Sequence, residues 1–155
     1  MAGRHLLVVF HSATGGADRM AERVIAGASD DSIEGVEVRV VRALDAGVDD
    51  VLWSDAIVLG TPENFGYMSG ALKHFFDTIY YPCLDRTRGR PYALFVRAGH
   101  DGAGAVLAVS RIATGLGWRE VQAPVVAVGA MTTGHLDACT ELGGAMAAGL
   151  AMDLF

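Results

Sequence analysis

Gly60-Thr-Pro-Glu-Asn-Phe-Gly-Tyr-Met-Ser-Gly-Ala-Leu-Lys-His-Phe-Phe-Asp77 is the stretch on which the reading of this chain turns. The apolar run Ala56-Ile57-Val58-Leu59 leads into it and predicts a strand covered on both faces. Beyond it, Leu72, Phe75, Phe76 and Ile79 recur at helical spacing. The segment between carries Gly60, Pro62, Gly66 and Gly70, which predicts a stiff loop with exposed backbone at the carboxyl edge of a sheet. A flat heterocycle can lie along such an edge and read its main-chain groups.

The same arrangement occurs near the N-terminus. Leu6-Leu7-Val8-Val9-Phe10 reads as a buried strand and runs into His11-Ser12-Ala13-Thr14-Gly15-Gly16-Ala17, after which Met20, Ala21, Val24 and Ile25 mark a helix over about Gly16–Ala26. Small hydroxyl residues and paired glycines at a strand-to-helix turn suit a phosphate. The helix start offers unpaired N–H groups and a partial positive charge. The plain structural alternative is a tight turn with Ser12 or Thr14 as the helix cap.

Outward from these loops, strands and helices alternate. Val36–Val40 alternates apolar and polar residues, as a sheet edge does. A short helix follows near Ala46–Trp53. Tyr92-Ala93-Leu94-Phe95-Val96 is a fourth strand, and it opens into a third loop, Arg97-Ala98-Gly99-His100-Asp101-Gly102. A helix near Ala103–Leu116, a fifth strand over Val121–Val128 and a helix over about Leu136–Met152 complete the chain. Pro124 favours an edge position for the fifth strand, and Gly143, Gly144 and Gly149 weaken the last helix. This alternation predicts a parallel sheet with helices on both faces. All 155 residues read as one domain.

The Gly60–Asp77 motif and the Ser12–Ala17 loop together resemble the flavodoxin superfamily, and most closely its NAD(P)H-dependent FMN reductase and quinone reductase branch. The resemblance implies a flavodoxin-like three-layer α/β/α sandwich with five parallel strands in the order 2-1-3-4-5, ligand lying at the switch point between strands one and three. It implies FMN as cofactor and NADH or NADPH as electron donor. Its phosphate would meet Ser12, Ala13, Thr14, Gly15, Gly16 and Ala17, and Ala17 replaces the last hydroxyl of the family's phosphate pattern. The isoalloxazine would meet Thr61, Pro62, Glu63, Asn64, Phe65 and Gly66, mostly through main chain. Ala98, Gly99, His100, Asp101 and Gly102 would face the pyrimidine edge, where a nest of amides stabilises negative charge near N1; the alternative for this loop is a helix cap by Asp101. No protein nucleophile is expected, since the cofactor carries the chemistry at N5. The same resemblance implies a homodimer.

Composition narrows the function classes. A content of 52% hydrophobic residues supplies a sizeable core, and a formal charge of −6 argues against nucleic acid as a partner. The apolar runs are short and end in Gly, Pro or charge, so no membrane insertion is expected. The two cysteines, Cys83 and Cys139, make neither a disulfide framework nor a metal site and read as reduced thiols of a cytoplasmic protein. His135 and Cys139 lie four apart on the last helix but lack a third ligand. Trp53, Tyr80, Tyr81 and Pro82 offer aromatic surface for a flavin rim or a subunit contact, with core burial the plainer role for Trp53. The Gly-Lys-Ser/Thr of a P-loop and the Gly-x-Ser-x-Gly of a hydrolase elbow are absent. Two classes remain: a reductase passing electrons from NAD(P)H to a quinone, FMN or another small-molecule acceptor, and a flavodoxin-type carrier shuttling single electrons between proteins. A third reading is a degenerate member that binds flavin poorly.

Overall fold

In the computed structural model, which describes residues 3–155, seven strands and five helices follow in the order β1 (Arg4–Phe10), α1 (Gly16–Ala28), β2 (Val36–Arg42), α2 (Val48–Trp53), β3 (Ala56–Asn64), β4 (Tyr67–Met68), α3 (Gly70–Cys83), β5 (Pro91–Ala98), α4 (Ala103–Gly115), β6 (Arg119–Glu120), β7 (Val125–Val128) and α5 (Thr133–Ala151). The sheet runs β2-β1-β3-β5, with β6 and β7 both on the outer side of β5. All of these pairings are parallel. The expected five-strand order is therefore present, with its last position shared by two segments. The predicted continuous strand over Val121–Val128 is broken. β6 ends at Glu120 and β7 begins at Val125, directly after Pro124. Proline has no N–H to give to the ladder, so pairing resumes only beyond it.

Alternate residues of each central strand serve opposite faces. Leu7, Val9, Ile57, Leu59, Leu94 and Val96 pack with α3 and α4. Leu6, Val8, Phe10, Val58, Ala93 and Phe95 pack with α1 and α5. β2 is only partly covered, as its alternating sequence predicts.

Two further expectations are corrected. Residues Gly60–Asn64 are not loop: β3 continues to Asn64. Gly60 sits inside the sheet, where an added Cβ would lie 2.0 Å from Cζ of Phe95; its lack of a side chain makes room for that ring. The glycines of α5 also do not interrupt it. A Cβ at Gly143 would lie 1.9 Å from the Val24 carbonyl oxygen, and one at Gly27 would lie 2.0 Å from the Thr140 carbonyl oxygen. These glycines let α1 and α5 approach backbone to backbone, and the close packing offsets their poor helix propensity.

Candidate functional site

The three loops leave the sheet side by side. Phe10 is in register with Gly60, and Gly60 with Phe95. The His11 N–H donates to the Gly60 carbonyl at 3.1 Å, tying the first loop to β3. β1 leads on one side to β2 and on the other neighbours β3, so the loops stand at the topological switch point.

The β1–α1 loop is open. Gly15 precedes α1 at φ 92°, and no side chain caps the helix. Its first-turn N–H groups therefore have no intrahelical partner. A Cβ on Gly15 would meet nothing within 4 Å. Ser12 Oγ accepts from the Gly15 N–H at 3.2 Å, while Ala13 and Thr14 are exposed. Ala17 is only 2% exposed and belongs to the core. Asp18, an awkward carboxylate beside an anion, pairs with Arg42 at 3.3 Å. Nδ1 of His11 is buried without a hydrogen-bond partner, a polar atom left over at the base of the loop.

The second segment is a braced hairpin. Glu63 pairs with Met68 and Asn64 with Tyr67, antiparallel. Phe65 at φ 53° and Gly66 at φ 71° form its two-residue turn, and two positive φ values match the twist of the flanking strands. A bulky residue rarely adopts such a φ, and here the Phe65 ring projects fully into solvent rather than onto the core. Thr61 is buried; its hydroxyl donates to the Pro62 carbonyl at 2.8 Å and accepts from the Ser69 N–H at 2.9 Å. Ser69 in turn accepts from the Leu72 N–H at 3.2 Å and caps α3, as expected. A Glu63 carboxylate oxygen accepts from the Ala105 N–H at 3.2 Å, in the first turn of α4. Thr61 and Glu63 thus hold the hairpin, with their polar atoms engaged by protein. Gly104 of α4 packs on the turn: a Cβ there would lie 1.9 Å from the Gly66 carbonyl oxygen.

In the β5–α4 loop, Ala98 is buried, while Gly99, His100 and Asp101 are exposed. Asp101 accepts from the Ala103 N–H at 3.0 Å, a capping contact. Gly102 itself occupies the N-cap at φ 72°, and a Cβ there would run into Val126. Gly99, by contrast, opens onto free space.

The surrounding aromatic and titratable residues divide clearly. Trp53 lies away from the loops, stacked on His5 at 4.2 Å near the start of β1, with the Arg39 guanidinium 3.9 Å from its ring centre. His135 accepts from the Thr132 N–H at 3.2 Å in the capping box of α5. Burial pushes the Cys139 thiol up to about 11 and raises that of Cys83 as well, so neither is a thiolate at neutral pH. One neighbour of the first loop is not signalled by any motif: Arg97, whose side chain lies against Gly16. The two residues meet only because β5 ends beside the start of α1.

Uncapped amides, an orphaned ring nitrogen and open positions at Gly15, Gly66 and Gly99 fit a ligand with an anionic tail and a flat polar-edged ring, which is the shape of FMN. The sequence profile of the NADPH-dependent FMN reductase family matches residues 41–133. A protein of Aquifex aeolicus named flavodoxin is 36% identical over 109 residues, covering 70% of this chain and 58% of its own length. An NAD(P)H dehydrogenase (quinone) of Acidithiobacillus ferrooxidans is 33% identical over 92 residues, covering 46% of this chain and 45% of its own. The chain thus spans about half the length of these relatives. Among solved structures, a flavodoxin from the domain Archaea superposes with a TM-score of 0.80 at 23% identity, covering 94% of this chain and 98% of that one. That likeness establishes the flavodoxin-like fold. With the profile spanning the end of β2 through the start of α5, the chain belongs to the NADPH-dependent FMN reductase family of flavodoxin-like oxidoreductases.

Proposed function

We propose that this protein binds FMN across its three loops and uses NADH or NADPH to reduce FMN, a quinone or another small acceptor. The single observation that carries the reading is that the segments following the registered ends of the neighbouring strands β1, β3 and β5 each carry an open backbone position, Gly15, Gly66 and Gly99. Bound FMN would supply the redox chemistry, taking hydride at N5 from the nicotinamide and passing electrons on.

The protein's part is binding and orientation. The amides at the start of α1 and the hydroxyls of Ser12 and Thr14 hold the phosphate. The backbone of Asn64, Phe65 and Gly66 reads the ring edge. The amides after Ala98 face its pyrimidine side, with His100 free to donate a hydrogen bond. Glu63 does not act as a base in this scheme, because its carboxylate holds α4. A cavity of about 390 Å³ beside the hairpin, lined by Gly66, Tyr67, Lys73, Leu107 and Arg111 among others, gives room near the ring for a second ligand. The exposed aromatic surface of Phe65 and Tyr81 supports a homodimer that covers it.

A second reading, the single-electron carrier, is favoured by the relative named flavodoxin. One experiment separates the two. Purified protein is titrated with FMN, then mixed with NADPH, and separately NADH, without oxygen. Perturbed flavin absorbance that bleaches rapidly supports the reductase; a bound flavin untouched by either nucleotide supports the carrier. An unperturbed spectrum with FMN in excess overturns both.

A further inference from the structure

We propose that Arg97 clamps the FMN phosphate, supplying from β5 an anchored positive charge beside the start of α1. The inference rests on the reading of that loop as the phosphate site.

The loop by itself is poorly equipped for a dianion. Ser12 Oγ is engaged by the Gly15 amide, and Ala17 faces the core without a hydroxyl. Asp18 brings a negative charge into the first turn, and the nearby Arg42 is engaged by that carboxylate. Besides its hydroxyls, the loop offers the orphan amides of α1, equivalent to about half a positive charge, and Arg19, whose side chain is exposed rather than anchored.

Arg97 lies immediately beside those amides. A Cβ on Gly16 would sit 3.0 Å from its Nε and 3.1 Å from its Cδ and Cγ, so the side chain runs flat along the first residue of α1. Its far end is held in place: Nη1 donates to the carbonyls of Ala98 at 2.6 Å and Ala127 at 3.2 Å. These bonds use one nitrogen of three. Nε and Nη2 donate to no protein atom among the described residues, and no carboxylate there forms an ion pair with Arg97. That unused Nε–Nη2 edge is the side of a guanidinium that matches two phosphate oxygens. A charged group anchored through one nitrogen loses little further freedom when an anion arrives. Gly16 is then explained as well, because any side chain there would press the guanidinium stem away from the helix start.

The test compares FMN with riboflavin, which lacks only the phosphate. Each is titrated by fluorescence quenching into wild type, Arg97→Met and Arg97→Lys. Arg97→Met is expected to weaken FMN about 10- to 100-fold, the range for a hydrogen bond between charged groups, and to leave riboflavin within about twofold. Arg97→Lys keeps the charge without the fork and is expected to fall between. Raised salt is expected to weaken FMN more in wild type than in Arg97→Met. Equal loss for both flavins, or no loss for either, overturns the clamp and leaves Arg97 as a stitch between β5 and β7. Wild type that binds riboflavin as tightly as FMN overturns the phosphate-loop reading itself. Should Arg97→Met fail to fold, Arg97→Gln carries the test, keeping hydrogen-bonding capacity without the charge. Selective loss of FMN supports the clamp, and equal loss of both flavins sinks it.

Discussion

The β1–α1 loop and the β3–β4 hairpin form two sides of one candidate site, yet they are built in opposite ways. The hairpin is braced from within and from behind. Thr61 bonds to Pro62 and Ser69, Glu63 reaches the start of α4, and Gly104 sits against the turn at Gly66. The polar atoms of Thr61 and a carboxylate oxygen of Glu63 are spent on the protein, and in the proposed mode a ligand meets mainly backbone and the exposed Phe65 ring. The first loop is the reverse. Its helix is uncapped, its Gly15 faces open space, and its best-placed cation comes from another strand. A planar ring needs a rigid edge, and rigidity comes from satisfied hydrogen bonds. A phosphate needs unsatisfied donors and charge. Under the proposed binding mode, the two halves differ because a flavin ring and a phosphate differ in chemistry.

That contrast can be broken by substitutions that fill space on each side. Gly104→Ala places a Cβ on the Gly66 carbonyl oxygen, where backbone must move. Overpacking of this kind is expected to cost about 3 kcal/mol, read as a lower urea midpoint, with the hairpin displaced. A stability within about 0.5 kcal/mol of wild type would show that the brace is slack. Gly15→Val and Gly66→Val should act on binding instead. Each puts a branched side chain into the open space, and FMN affinity is expected to fall by about 100-fold or more, equivalent to about 2.7 kcal/mol. Both sites have positive φ, so each also loses about 1–2 kcal/mol of stability, while unfolding stays cooperative. Unchanged FMN affinity in both variants would remove the site assignment. Thr61→Val is the mildest of the set. It leaves the buried Ser69 N–H without its acceptor and is expected to cost about 1–2 kcal/mol. FMN affinity should fall only as far as the hairpin loosens. A loss of binding larger than that of Gly66→Val would mean that Thr61 contacts the ligand and that the braced–open contrast is wrong.

Much of this was legible beforehand, and the exceptions share a cause. The runs Leu6–Phe10 and Tyr92–Val96 mark strands because burial on both faces demands unbroken apolar residues, and both lie in the sheet. Ser69 as the cap of α3 follows from its place before an apolar helix. Gly60 through Asn64 misled because Gly and Pro favour loops locally. There the sheet won: Gly60 is needed to accommodate Phe95, a contact across strands that no local pattern contains. Gly143 misled for the same reason, since it lets α5 settle on Val24 of α1. A phenylalanine is ordinarily drawn to the core, yet Phe65 stands in solvent, because the hairpin turn rather than hydrophobicity sets its direction.

By itself, the sequence determined the alternation of strands and helices and the three glycine-bearing loops, and the motifs at Gly60–Asp77 and Ser12–Ala17 carried a resemblance to the family. Periodicity and turn chemistry are local, and a chain reader can see them. Only the tertiary structure decided what each loop residue faces. Gly15, Gly66 and Gly99 open outward, while Gly60, Gly102 and Gly104 are filled by neighbours. Glu63 is held by α4, and Arg97 is free along one edge of its guanidinium beside Gly16. Those distinctions are distances between residues far apart in the chain, set by how strands register and helices dock, and no local spacing encodes them.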